Sequence, residues 1–507
     1  MLLAEVVTAS REIAATRSRK AKTAVIAGCL ARAEPDEREV VASYLGGALL
    51  QRRTGLGWRG LSTPPPAADH ATLAVREVHD AFEGLAALSG PGSQGQRAEA
   101  VAELFGRATA DEQSWLHGIV TGAVRQGALD ALLQEGLAEA ADVPVGEVRR
   151  AAMLAGGTGP VVATAFADGV PGLRAVGLEV GRPVLPMLAS SARDVAAALA
   201  KAGPGAVAVE TKLDGIRIQV HRRGDEVLVA TRSLDDVTHR LPEVVAAALA
   251  LPSDTFVLDG EALALDDDGT PRAFQETASR TAQASGVAIT PYFFDLLHLD
   301  GADLLDAPGR ERQAALEDLV PERWRVPRVV TDDVDEARAF LERTLAAGHE
   351  GVVVKGLATT YAAGRRGAGW VKVKPVHTLD LVVLAVEWGS GRREGWLSNI
   401  HLGARDAETG DLVMLGKTFK GMTDQTLAWQ TERFTELALD PATVRDHYVV
   451  PVRPEQVVEI ALDGVQRSSR YPGGIALRFA RVVRYRDDKT SGDIDTLQQI
   501  KQLFGHD

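Results

Sequence analysis

Lys212-Leu213-Asp214-Gly215-Ile216-Arg217 sits between two strand-like runs. Ala206 to Val209 leads in. On the way out, Ile216, Ile218 and Val220 alternate with Arg217, Gln219 and His221, the two-residue period of a half-buried strand. Asp214-Gly215 between such runs is a tight-turn signal, because glycine accepts positive φ without steric cost. The lysine is therefore held at a strand end, beside a turn that brings backbone close to a ligand. Such a lysine is a nucleophile if neighbouring cations or desolvation lower its pKa from about 10.4. The same residues also fit a surface lysine before a hairpin.

Working outward, the chain changes texture on both sides of this stretch. From Gly181 to Pro375 strands alternate with helices. Val227 to Thr231 delivers Arg232, Phe256 to Leu263 carries Glu261, and Tyr292 to Leu296 is an aromatic strand holding Phe294. Val352 to Lys355 is a buried type of strand. Glu350 and Lys355 fall on opposite faces of a regular strand, so a shared site needs Glu350 in the turn before it, as Gly351 permits. In Trp370-Val371-Lys372-Val373-Lys374-Pro375, alternation puts Trp370, Lys372 and Lys374 on one face. Two lysines on one strand face can clamp a phosphate, or can simply face solvent. Gly364-Arg365-Arg366-Gly367 adds cations just before them.

Residues 1–180 read as helical, with loops at Pro64-Pro65-Pro66 and Gly90 to Gly95. Asp142 is a candidate cap for a helix from Pro144 to Leu154. Two features there could meet a polyanion: Arg17, Arg19, Lys20 and Lys22, and the glycines of Gly118 to Gly127 and Gly156 to Gly159. Caps and solvated faces explain both as well. Beyond Pro375 five strand candidates and one helix, the last strand running from Ala476 to Tyr485, suggest a small β-barrel of the OB type.

The whole-chain numbers narrow the class. A length of 507 residues predicts about three domains, at roughly 150 residues each. No apolar run reaches the length of a membrane helix, and no signal peptide is evident. Cys29 is the single cysteine, which excludes internal disulfides and a four-cysteine zinc site and makes the cytosol the expected compartment. The net charge of −13 argues mildly against non-specific nucleic-acid binding, although Arg467, Arg470, Arg478, Arg481, Arg484, Arg486 and Lys489 make one basic C-terminal stretch.

Taken in order, Lys212-Leu213-Asp214-Gly215, Arg232, Asp259-Gly260-Glu261, Phe294, Glu350 to Lys355, Trp370 to Pro375 and Arg486-Asp487-Asp488-Lys489 resemble the covalent nucleotidyltransferases. The similarity is greatest to the ATP-dependent DNA ligases of archaeal and actinobacterial type. It covers nearly the whole chain. The resemblance implies an all-α DNA-binding domain over 1–180, an α+β adenylation (nucleotidyltransferase) domain over 181–375 and a C-terminal OB-fold β-barrel over 376–507. It implies that Lys212 is adenylated by ATP with Mg²⁺. Glu210 would contact the adenine and Phe294 stack on it. Arg217 and Arg232 would meet ribose or the 5′-phosphate of the nick. Glu261 would contact the ribose and, with Glu350, hold metal. Lys355, Lys372, Lys374 and Arg366 would surround the α-phosphate, and Arg486 and Lys489 would orient the pyrophosphate.

The implied reaction seals nicks in duplex DNA, as needed in replication, repair and recombination. The implied cycle closes the barrel with Arg486 and Lys489 inward, then turns it to clamp DNA. The expected partner is nicked duplex DNA encircled by a monomer, and the expected place is the cytoplasm, at the nucleoid. RNA ligases and capping nucleotidyltransferases share the lysine motif, but the large helical N-terminal region favours a DNA ligase. A non-catalytic nucleic-acid-binding OB protein would leave Lys212, Glu261, Glu350, Lys372 and Lys374 as unconnected surface charges.

Overall fold

Apolar residues at steps of three and four turn the N-terminal region into a helical assembly. In the helix Val75–Ala87 the buried side chains are Val75, Val78, Phe82 and Leu85, a single stripe. The helix Ala110–Val120 starts at a reciprocal cap between Thr109 and Glu112. The structure, a computed structural model, describes residues 1–504 except 52, 125, 127–129, 267, 268, 273, 283–285 and 363–365. The side chains of Trp58, Arg59, Thr281, Ala282, Arg366 and Ala368 are also outside it. The chain divides into two compact units, Met1–Val373 and Lys374–Asp507.

The helices between Leu3 and Ala175 share one core, from Leu3 to Leu173. Asp142 does not cap the helix Val145–Leu154. Pro144 takes the capping position, while Asp142 carries a φ of 52° in the preceding turn. Much of the basic N-terminal cluster ties helices together. Arg19 makes two bonds to Glu135 (2.9 and 2.7 Å), and Lys22 donates to the Gln126 carbonyl at 2.6 Å. Thr158 donates to Asp130 at 2.6 Å. Arg125 and Gly127 lie outside the described residues. Helices Val162–Ala167 and Gly169–Ala175 complete this part, within the stretch the sequence reads as helical though it does not delimit them.

Among the described residues ten strands follow: β1 (Leu188–Ser191), β2 (Val207–Lys212), β3 (Ile216–Arg223), β4 (Glu226–Thr231), β5 (Thr255–Ala264), β6 (Ile289–Leu299), β7 (Ala302–Asp303), β8 (Arg328–Thr331), β9 (Gly351–Gly356) and β10 (Arg366–Val373). They form two five-stranded sheets, ordered β1-β10-β9-β2-β8 and β4-β3-β5-β6-β7. The runs around Asp214-Gly215 are thus not a hairpin. β2 belongs to one sheet and β3 to the other, and the turn is the passage between them. Gly215 also does not use positive φ. It is glycine because a Cβ there would lie 2.4 Å from the Ala262 carbonyl on β5.

The second unit holds β11 (His377–Trp388), β12 (Leu397–Arg405), β13 (Leu412–Thr418), β14 (Val449–Pro451), β15 (Val457–Leu462), β16 (Gly464–Arg467), β17 (Ile475–Arg478) and β18 (Arg481–Arg486). Its main sheet runs β13-β12-β11-β15-β18, with β14 also paired to β11, and β16 and β17 form a separate ribbon. The expected β-barrel needs correction: among the described residues the pairing is an open path, because no ladder joins β13 to β18. The single strand expected from Ala476 to Tyr485 is broken at Phe479, whose φ is 53°, so β17 and β18 serve different sheets. Among the described residues no helix is long and apolar enough to cross a membrane.

Gly215→Ala should therefore destabilise the chain by about 2 kcal/mol or more, since the new methyl meets backbone rather than a movable side chain. Urea unfolding midpoints check this; an unchanged midpoint would contradict the close-approach argument.

Candidate active site

Lys212 is the last residue of β2, and its register partner is Gly351, the first of β9. Gly351 takes a φ of 141°, which turns the chain so that Glu350 stands beside the lysine. The Glu350 amide donates to the Lys212 carbonyl at 3.1 Å, and the Glu350 carboxylate is in direct contact with Lys212 Nζ. β5 brings Glu261 from the other sheet, opposite Arg217 in register on β3. Lys212 is thus the seam between two sheets, with a carboxylate from each.

A crevice of about 260 Å³ opens over this seam. Lys212, Glu210, Arg217, Arg232, Glu261, Phe294, Lys355 and Lys372 all line it, together with Trp370, Leu188 and Ala189. Alternation along β10 works as the sequence predicts: Trp370 and Lys372 line the crevice while Val371 and Val373 enter the core. Lys374 does not continue the pattern, because β10 ends at Val373. Lys374 pairs with Asp463 at 3.4 Å in the second unit. Arg486 and Lys489 also belong to that unit, where Asp380 accepts from both, at 3.2 and 2.5 Å, and Asp488 accepts from Arg486 at 2.7 Å. The Arg366 side chain lies outside the described residues.

Buried ion pairs brace the crevice walls. Lys355 is 5% exposed; it donates to Glu210 at 2.6 Å and to the Phe294 carbonyl at 3.1 Å. Its ammonium also lies 4.4 Å from the Phe294 ring centre and 4.3 Å from that of Trp370, within cation–π range. Burial pushes the Glu210 carboxyl above its ordinary pKa, and Lys355 pulls the other way. Arg217 grips both oxygens of Asp259, at 3.0 and 2.6 Å. Burial opposes its charge, but Asp259 together with Tyr361 and Glu261 outweighs this, and the guanidinium pKa is raised. Behind them Arg312 holds Asp295 at 2.8 and 3.1 Å.

Sequence reasoning assigned no role to Asp259, Tyr361, Asp295 or Arg312. Asp259 was accessible, since it is two residues from Glu261 on one strand and shares its face. Tyr361, Asp295 and Arg312 carry no local pattern that marks them.

Glu261 and Glu350 suit a hard divalent cation such as Mg²⁺, which takes one or two carboxylates and completes its shell with phosphate oxygens and water. Among the described residues no cluster of three or more His, Cys, Asp or Glu could hold a metal by itself. Phe294 and Trp370 supply aromatic surface suited to a base, and Lys355 and Lys372 cationic charge suited to a phosphate.

Burial pushes the Glu261 carboxyl up from 4.5 to about 7, against the pull of Lys212 and Arg217. A folded pKa above the unfolded one penalises the folded chain as pH rises through that interval, with the full cost present above about 7. Glu261→Gln, without nucleotide or metal, should therefore stabilise the chain near pH 8 by about 3 kcal/mol at most. The gain should shrink as pH falls towards 5. Unfolding midpoints across this range measure it, and a gain independent of pH would contradict the burial argument.

Comparison with known proteins places this chain in a family. Residues 186–374 match the ATP dependent DNA ligase domain, 393–489 the ATP dependent DNA ligase C terminal region and 49–138 the DNA ligase N terminus. A probable DNA ligase of Nocardioides sp. is 70% identical over 100% of this chain and 99% of its own length. One of Kineococcus radiotolerans is 65% identical over 99% and 100%. In fold, the chain is similar to the solved structure Pmar-Lig_PreS3, at a TM-score of 0.63 and 17% identity, covering 95% of this chain and 99% of that one. The chain belongs to the ATP-dependent DNA ligases.

Proposed function

We propose that this chain seals nicks in duplex DNA and that Lys212 carries the adenylyl group. The observation that supports this most is the position of Lys212, at the seam of two sheets, touching Glu350 and facing a crevice with aromatic and cationic walls.

In the first step Lys212 Nζ attacks the α-phosphorus of ATP. A phosphorus–nitrogen bond forms as the bond to pyrophosphate breaks, and Glu350, in contact with the amine, is placed to take its proton. In the second, a 5′-phosphate oxygen at the nick attacks the same phosphorus and Lys212 leaves, regaining a proton. In the third, the 3′-hydroxyl attacks the 5′-phosphate and AMP departs. Lys355 and Lys372 offset the charge that develops on the α-phosphate. Phe294 and Glu210 hold the adenine. Arg217 and Arg232 bind ribose or the nick phosphate. Glu261 and Glu350 would hold a divalent metal, which would supply further charge neutralisation.

Arg366 and Lys374 are assigned to the α-phosphate, and Arg486 and Lys489 to the pyrophosphate. These roles rest on the family motifs. We assign 1–180 to DNA binding, 181–375 to adenylation and 376–507 to a module of OB type. OB folds are often partly open, so an unclosed sheet is compatible with that assignment. A monomer acting on DNA in the cytoplasm fits this scheme. Contacts would be mainly to the DNA backbone, so binding should weaken steeply with salt and depend little on sequence.

The test uses the full chain with a divalent metal and α-labelled ATP or GTP, denaturation, and a chase with nicked duplex. The expected outcome is covalent label from ATP alone, lost on the chase as sealed DNA appears, and no label on Lys212→Ala. Label from GTP would point to capping chemistry. Sealing by Lys212→Ala would overturn the assignment of the nucleophile.

A further inference from the structure

Tyr361, in the segment between β9 and β10, is 3% exposed and belongs to no sequence motif singled out above. Its hydroxyl donates to Asp259 Oδ2 at 2.7 Å and accepts from the Met187 amide at 3.0 Å. The Met187 carbonyl in turn accepts from Arg217 Nη1 at 2.6 Å. Both peptide groups of Met187 therefore end on Tyr361 and Arg217, and the next two residues, Leu188 and Ala189, form part of the crevice wall. The Tyr361 ring is held edge-on to Trp370 at 5.8 Å, and its amide donates to the Leu305 carbonyl at 2.9 Å. Burial and the Asp259 carboxylate keep the hydroxyl protonated, so it remains a donor to Asp259.

This is a closed circuit: Asp259 orients Arg217, Tyr361 orients Asp259, and Met187 is bonded to both Tyr361 and Arg217. A guanidinium gripped on two sides cannot adjust its direction cheaply, because any rotation strands a buried polar group. We propose that the Tyr361 hydroxyl and the Asp259 carboxylate are positioning groups for adenylyl transfer, fixing Arg217 and the Met187–Ala189 wall in one orientation toward the nucleotide. The inference rests on the reading of Lys212 as the adenylated residue. Positioning groups act on the rate through geometry, where a displacement of about 1 Å can cost up to a hundredfold.

The test measures lysyl–AMP formation by the full, deadenylated chain for the parent protein, Y361F, R217K and the double variant, well below each unfolding midpoint. Y361F should lower the rate at saturating ATP by about tenfold while moving the half-saturating ATP concentration by less than about threefold. In the double variant the loss should fall well short of the product of the single effects, because Tyr361 acts in large part through Arg217. If Y361F does not fold, D259N carries the same cycle with the same expected non-additivity. A lowered midpoint with an unchanged rate would overturn the proposal, as would a double variant slowed by the full product of the single effects. If the parent protein takes no label from ATP, it is the reading of Lys212 that fails, a result distinct from either of these.

Discussion

Gly215 passes so close to the Ala262 carbonyl that no side chain fits between them, and the site depends on that approach. It lets the chain leave one sheet at Lys212 and enter the other at Ile216, with three residues between. The lysine is thereby fixed at the seam, with Glu350 delivered by its own sheet and Glu261 by the neighbouring one. A hairpin at the same place would have left both flanking strands in one sheet, with no seam between two sheets for the lysine to occupy.

The walls of the crevice are held by buried charge. Lys355–Glu210 and Arg312–Asp295 are almost fully enclosed, Arg217–Asp259 has its carboxylate buried and its guanidinium partly open to the crevice, and all three are within hydrogen-bond distance. Such pairs are weak evidence for stability, because desolvating two ions costs several kcal/mol and their attraction roughly repays it. Their cost when broken is large, so they restrict the walls to one arrangement. An enzyme that must present an amine, an aromatic surface and two cations to one nucleotide gains from such rigidity. Glu261 differs from them. Burial raises its pKa to about 7, leaving a carboxylate whose ionic form is favoured by an arriving cation.

Much of this was legible in the chain. Period-two alternation located β3 and β10 and placed Lys372 on the crevice face, and Gly351 allowed Glu350 to stand in the turn beside Lys212. What stayed hidden was long-range. Asp214-Gly215 reads as a hairpin because the same residues that make a tight turn also permit a close approach, and only the position of Ala262 separates the two. Lys374 keeps the alternation in sequence, but the strand ends one residue earlier. The β-rich C-terminal region gives no sign of which strands fail to pair, and an unremarkable Phe479 adopts the positive φ that breaks its last strand. Tyr361 acts through Asp259, 102 residues away, and Arg312 through Asp295, 17 residues away, and no local pattern reports them.

The central claim is that the lysine at the sheet seam, and no other group, becomes bonded to AMP. Its most direct test is to incubate the deadenylated chain with ATP and a divalent metal, digest it under neutral conditions and locate the adduct by mass spectrometry. The account predicts AMP on the peptide containing Lys212, through a bond that acid cleaves and alkali spares, as expected of a phosphoramidate. AMP attached to any other residue, or an adduct that survives acid, would contradict it.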